Sequence, residues 1–352
     1  MFFQVLVTPN CSRLKRRLVL NLQGAFLALV LGFFFTGEAL AQGGSSSTTP
    51  TPPSPSAQAP EAPPPLPNLA GTADGVAPAA GRVLTPRPEL LVSGEWLKAH
   101  LNDADLRIID LRNPGDYAKG HIPGAIWLNP GQLFGNASGV DGVLPSNDKI
   151  QDILRQAGIS AESQVVIYDA TGGLMASRLF WILDYMGQGK GRLLDGGWPL
   201  WRQTGKPTTR KVDPVAPGTF TVRPHPEMLA DLAWMRAHLN QEHVRFIDSR
   251  TREEFSGEVR QSRKGGHIPG AKNLPWAAHL NRSGTMRPPE ELLARYQKLD
   301  ISPEQEVVVY CQVMMRASHT YFTLRWLGFP RVRGYDGSWG EWGNRDDTPV
   351  EK

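Results

Sequence analysis

The strongest constraint on the fold of this 352-residue chain is that it matches itself at an offset near 140 residues. Leu106-Arg107-Ile108-Ile109-Asp110-Leu111-Arg112 matches Val244-Arg245-Phe246-Ile247-Asp248-Ser249-Arg250, and Gly120-His121-Ile122-Pro123-Gly124-Ala125 recurs letter for letter at Gly266 to Ala271. Val165-Val166-Ile167-Tyr168-Asp169 matches Val307-Val308-Val309-Tyr310-Cys311, and Asp195-Gly196-Gly197-Trp198 matches Asp336-Gly337-Ser338-Trp339. Four blocks in one order imply two copies of a domain. A period this long indicates duplication, because the units of a solenoid run to roughly 20 to 50 residues.

Within each copy, short β-branched runs alternate with helical segments. In the second, the pattern predicts a helix over Glu290 to Leu299, a strand over Glu306 to Tyr310, and an amphipathic helix over Arg316 to Leu327 that stops at Gly328-Phe329-Pro330. Strand, helix, strand repeated gives an α/β fold: two tandem domains, each a parallel sheet covered by helices on both faces. Ligands of such sheets sit beyond the carboxyl ends of the strands, where Cys311 and Asp169 both stand. The stretch from Gly205 to Pro226 has five prolines and no long apolar run. The expected domains are therefore 89–205 and 227–352, with a linker over 206–226.

The first 88 residues follow a different logic. Arg13, Lys15, Arg16 and Arg17 precede an apolar stretch from Leu18 to Phe35, and Ala39-Leu40-Ala41 offers a small-x-small cleavage site, which together read as a secretory signal over 1–41. An uncleaved anchor is the rival reading, since a bilayer span needs about 20 residues. Twelve of the 30 prolines lie between Pro50 and Pro88, and no aromatic residue occurs between Gln42 and Glu95. Residues 42–88 thus read as a disordered Pro/Ala/Ser tether. Removing the signal's four basic residues and one acid from totals of 38 and 34 leaves 34 and 33, a near-neutral chain without a nucleic-acid footprint. The expectation is an exported protein, periplasmic or secreted, without stable membrane association after cleavage.

Cleavage would also remove Cys11 and leave Cys311 alone, so no internal disulfide is expected. Cys311 opens the run Cys311-Gln312-Val313-Met314-Met315-Arg316 between a strand end and a helix start. A short loop there can curl its N–H groups toward one atom, and the helix N-terminus adds partial positive charge. Such surroundings favour the thiolate, which is the nucleophile. A buried inert thiol is the alternative.

These blocks together, with Arg five positions after Cys and Gly-x-Trp near each domain's end, resemble the tandem-domain rhodanese family of sulfurtransferases over about Pro88 to Glu351. The resemblance implies two rhodanese-like domains, the first inactive because Asp169 replaces the cysteine. It implies that Cys311 takes sulfane sulfur as a persulfide and passes it to cyanide or a thiol, including a protein thiol. It also implies a small anionic sulfur donor and no cofactor. Thiosulfate enzymes of animal type carry basic residues after the cysteine, and 3-mercaptopyruvate enzymes carry Gly-Ser-Gly-Val-Thr. This loop matches neither, so thiosulfate is the expected donor with 3-mercaptopyruvate as the alternative.

An anionic donor needs cations near the sulfur. Arg316 and Arg250 are the candidates, with Gln312, Val313, Met314 and Met315 lining the loop and the two methionines forming an apolar rim. An internal ion pair of Arg250 with Asp248 or Glu254 is the competing reading. Related phosphatases use Cys-x5-Arg, one residue longer than Cys311 to Arg316, which argues against phosphate chemistry. His121 and His267 recur in both copies and are expected to shape the fold. The histidine spacing suggests no metal site. A non-enzymatic persulfide carrier that delivers sulfur to a partner protein is the rival from another class.

Overall fold

The computed structural model describes residues 84–352. The expected signal segment, and the tether up to residue 83, lie outside the described residues. In the first half, β1 (Leu91–Val92), α1 (Gly94–His100), β2 (Leu106–Asp110), α2 (Pro114–Lys119) and β3 (Ala125–Trp127) lead to a hairpin of β4 (Gly135–Ala137) and β5 (Val140–Val143). Then come α3 (Asn147–Gln156), β6 (Gln164–Tyr168), α4 (Leu174–Tyr185), β7 (Gly191–Leu194) and α5 (Gly197–Gln203). The second half repeats the series as β8 (Leu229–Ala230), α6 (Leu232–Ala237), β9 (Val244–Asp248), α7 (Arg252–Ser256) and β10 (Lys272–Asn273). It continues with α8 (Pro289–Gln297), β11 (Glu306–Tyr310), α9 (Met315–Trp326), β12 (Val332–Tyr335) and α10 (Ser338–Trp342).

Each half forms a five-stranded sheet of one topology, β1-β7-β6-β2-β3 and β8-β12-β11-β9-β10, in which every pair is parallel. The central strands β6 and β11 carry Val165 to Tyr168 and Val307 to Tyr310, all buried. Such continuous apolar runs are what a sheet covered on both faces requires.

The helices after the two central strands, α4 and α9, pack on each other. Phe180 meets Phe322 edge-on at 5.0 Å and its own counterpart Tyr321 at 6.5 Å, so residues of both halves share one hydrophobic core. This corrects the amphipathic expectation for α9. Nine of its residues, from Ala317 to Trp326, are buried, because the sheet covers one side and α4 the other.

Carboxylates cross the boundary reciprocally. Asp195 accepts the N–H of Met286 at 2.9 Å and Asp336 accepts that of Leu144 at 2.8 Å. Leu144 and Met286 hold corresponding places, three residues before α3 and α8. The linker runs along the first half: Thr209 exchanges backbone bonds with His121, and Gly218 donates to the carbonyl of Arg155. Glu351 exchanges the same bonds with His267.

Candidate active site

β11 ends at Tyr310, so Cys311 lies at the carboxyl edge of the second sheet, 1% exposed. From there the chain turns into α9 through Met314, whose φ of 54° is in the left-handed region. The turn is held from beneath. Ser338 Oγ accepts the N–H groups of Met314 at 3.0 Å and Cys311 at 3.4 Å, and donates to the Tyr335 carbonyl at 2.8 Å. Trp339 and Gly340 donate their N–H groups to the carbonyls of Cys311 and Gln312. Val313 packs on Gly142 of the β4–β5 hairpin, where an added Cβ would come within 2.6 Å of it.

Asp169 occupies the matching position at the end of β6, and it closes its own loop. Its carboxylate accepts four backbone N–H groups, from Thr171, Gly173, Met175 and Ala176, at 2.7 to 3.0 Å. A curled loop that could hold an anion therefore already holds one. No carboxylate takes the N–H groups of the Cys311 loop among the described residues; those of Cys311 and Met314 go to the Ser338 hydroxyl.

The residues expected around the donor divide into three groups. Arg316 forms a bidentate pair with Glu254 at 2.5 and 2.9 Å, and Glu254 is fixed in turn by the Thr251 N–H and Gln261. Burial opposes the charge of Arg316, but Glu254 and the nearby Cys311 hold its pKa above the usual value. Arg250 is 1% exposed and tied to Asp248 at 2.5 Å, to the Gly266 carbonyl at 2.7 Å, and to the face of Trp339 at 4.5 Å. Arg112 makes the same set with Asp110, Gly120 and Trp198 in the half without a cysteine. That recurrence favours the internal ion pair over donor binding for Arg250.

Gln312 donates to Ser262 Oγ at 3.1 Å and, with Val313 and Met315, is half-buried at the loop's outer edge. Met314 is not part of a rim. It is fully buried, with its methyl group against Gly334, because the left-handed turn at this residue sends the side chain inward.

His121 and His267 stack on Tyr117 and Phe255 at 3.9 and 3.6 Å and bond to the carbonyls of those residues. They pin the linker and the C-terminal segment to their respective halves. Among the described residues, no group of His, Cys, Asp or Glu could hold a metal ion, and no helix is long and apolar enough to cross a membrane.

Three site residues were not singled out by sequence reasoning: Ser338, Asp336 and Arg178. Ser338 had a signal, since it is the one change between Asp-Gly-Gly-Trp and Asp-Gly-Ser-Trp. Gly197 and Ser338 share φ of 51°, a conformation that favours glycine, so a serine there marks a use for its hydroxyl.

Two α/β halves of one topology, one ending its central strand in a buried thiol and the other in a self-bonded carboxylate, define a tandem-domain protein with one cysteine loop among the described residues. The model of the rhodanese-like domain matches residues 93–204 and again 231–345. The chain belongs to the rhodanese family, as a tandem-domain sulfurtransferase. It is 36% identical over 262 residues to a thiosulfate sulfurtransferase of Azotobacter vinelandii, covering 74% of this chain and 97% of that one. It is 30% identical over 273 residues to a 3-mercaptopyruvate sulfurtransferase of Escherichia coli, with the same two coverages. Among solved structures, a variant of EanB carrying a cysteine persulfide with ergothioneine aligns with a TM-score of 0.69 at 26% identity, covering 75% of this chain and 70% of that one.

Proposed function

We propose that the chain transfers the outer sulfur of thiosulfate to cyanide or a thiol through a persulfide on Cys311. The observation that carries this reading is the contrast between the loops: Asp169 fills one cradle with its own carboxylate, while Cys311 brings only a sulfur atom to the other. Thiolate Sγ attacks the outer sulfur, the sulfur–sulfur bond of thiosulfate breaks, and sulfite leaves with the electron pair. The acceptor then attacks the outer sulfur of the persulfide and the Cys311 thiolate is released. Arg316, steered by Glu254, faces the anionic end of the donor, with Gln312, Val313 and Met315 at the edge of the entrance. Similarity to the Azotobacter vinelandii enzyme supports thiosulfate. The Escherichia coli relative supports 3-mercaptopyruvate as the second reading, in which a carbon–sulfur bond breaks and pyruvate forms after protonation.

The proposal extends to the chain's organisation: cleavage near Gln42, export to the periplasm or medium, a tether that stops short of the expected residue 88, since Leu84 packs on the shared core and Arg87 donates its N–H to the Trp326 carbonyl, an inactive domain over 89–205 and the active one over 227–352. The composition of residues 1–88 supports it.

Mass spectrometry of the purified protein after each donor tests the reaction. Thiosulfate should add about 32 Da, one sulfur atom, and Cys311→Ser should take up none. Loading by mercaptopyruvate alone would reassign the donor. A loaded protein that never turns over with cyanide or small thiols would make it a carrier.

A further inference from the structure

Arg178 is the third residue of the site that sequence reasoning did not single out, and it comes from the half that has no cysteine. It lies on α4, is fully buried, and stacks over Phe134 and Trp181, each at 4.8 Å. Nη2 donates to the carbonyls of Leu133 and Gly142, each at 3.2 Å. Nη1 has no hydrogen-bond partner, and neither has Asp336 Oδ1, 3.7 Å away. A guanidinium does not give up its proton in a protein, so a full charge with one free edge is buried here.

The surroundings of that charge converge on one loop. Gly142, whose carbonyl Arg178 holds, is the residue on which Val313 packs. Asp336 lies two positions before Ser338, whose hydroxyl accepts the Cys311 N–H. Trp181, beneath the guanidinium, shares Gly334 with the methyl group of Met314.

Across the boundary the counterpart of Arg178, five residues into α4, is His319, five residues into α9. His319 reaches back to the other loop, where its Nε2 lies 3.2 Å from the Gly172 carbonyl. Burial lowers its pKa to about 4, so it is neutral near pH 7. The loop that contains a carboxylate thus faces a neutral ring from the opposite half, and behind the loop that contains a thiol, on the far side of Gly142 and Asp336, the cysteine-free half places an arginine.

We infer that Arg178 supplies, from the cysteine-free half, the positive charge that supports negative sulfur on Cys311, as thiolate and as persulfide, with Asp336 moderating it. The inference rests on Cys311 being the nucleophile. Arg178 acts on that sulfur through its field and is a positioning residue. The other charged groups around the loop are Arg316 with Glu254, Arg250 with Asp248, and Glu341 beside Asp336.

The test is the rate constant for alkylation of Cys311 by iodoacetamide near neutral pH, in the full chain with Cys11 replaced by serine. Arg178→Gln should react about tenfold more slowly, Arg178→Lys should keep most of the rate, and Asp336→Asn should react faster. A purely structural role would move the two neutralising variants in the same direction or leave the rates alike, and either result overturns the inference. If Arg178→Gln does not fold, Arg178→Lys and Asp336→Asn still decide, because a rate in Asp336→Asn equal to or below that of the parent is incompatible with a moderating carboxylate. Alkylation needs no sulfur donor. Failure of thiosulfate loading would therefore overturn the proposed function alone, and failure of the opposed rate shifts would overturn this inference alone.

Discussion

Glu254 grips Arg316 through both carboxylate oxygens, at 2.5 and 2.9 Å, so the one cation at the end of the cysteine loop is oriented before any donor arrives. A paired guanidinium still has N–H bonds to offer, in a fixed direction.

If Arg316 receives the donor, Arg316→Ala should raise the thiosulfate KM by about 10 to 150-fold, the equivalent of a charged hydrogen bond of roughly 1.5 to 3 kcal/mol. Arg316→Lys should fall between, because a lysine keeps the charge without the planar fork. Steady-state kinetics at saturating cyanide checks this. An unchanged KM together with a lower melting temperature would reduce the Glu254 pair to a brace for the loop.

Asp169 makes a different prediction. Its four N–H bonds belong to a loop without a thiol, so if transfer belongs to Cys311 alone, Asp169→Ala should leave kcat within about twofold. It should cost about 3 kcal/mol of stability, and hence lower the melting temperature by roughly 6 to 12 °C. Calorimetry beside the activity assay separates the two effects. A large loss of kcat at unchanged stability would show that the first loop takes part in the reaction.

The buried pair of His279 and His319, with ring nitrogens 3.4 Å apart, sets an acid limit. Burial holds the folded pKa of His319 at about 4, against 6.5 for an exposed ring, and depresses that of His279 as well. Below pH 6.5 the unfolded chain binds protons that the folded one refuses, so stability is complete above that pH and falls toward about pH 4. For His319 alone the full loss is about 3 kcal/mol. Urea unfolding at about pH 7 and pH 5 should show a drop that is about 2 kcal/mol smaller in His319→Asn than in the parent, the remainder belonging to His279 and other groups. Equal drops in both proteins would assign the acid sensitivity to other groups.

The α/β topology was legible because four blocks recur in order and because buried parallel strands advertise themselves as β-branched runs. The strand over Glu306 to Tyr310 begins and ends where its sequence says it should. Cys311 was legible for the same reason, as the residue that follows a central strand. Contributions that cross between the halves were not legible. Arg178 lies 133 positions from Cys311 and inside a helix of apolar neighbours, with nothing local to show which loop it faces. The pairing of Arg316 with Glu254 depends on how α7 lies beside α9. The inward turn of Met314 depends on a backbone conformation that methionine rarely adopts.

The reciprocal bonds from Asp195 to Met286 and from Asp336 to Leu144 have the form of contacts between identical subunits related by a two-fold axis, where each copy gives what it receives. Phe180 meeting its own counterpart Tyr321 places that axis between α4 and α9. A tandem protein built this way is a homodimer made covalent. Fusion frees each former subunit to change alone, so one can lose its nucleophile while still furnishing the other with a wall and, through Arg178, a charge. Neither half should survive as a monomer: cut at the linker, each would expose the face that α4 or α9 now covers and would seek a second copy of itself.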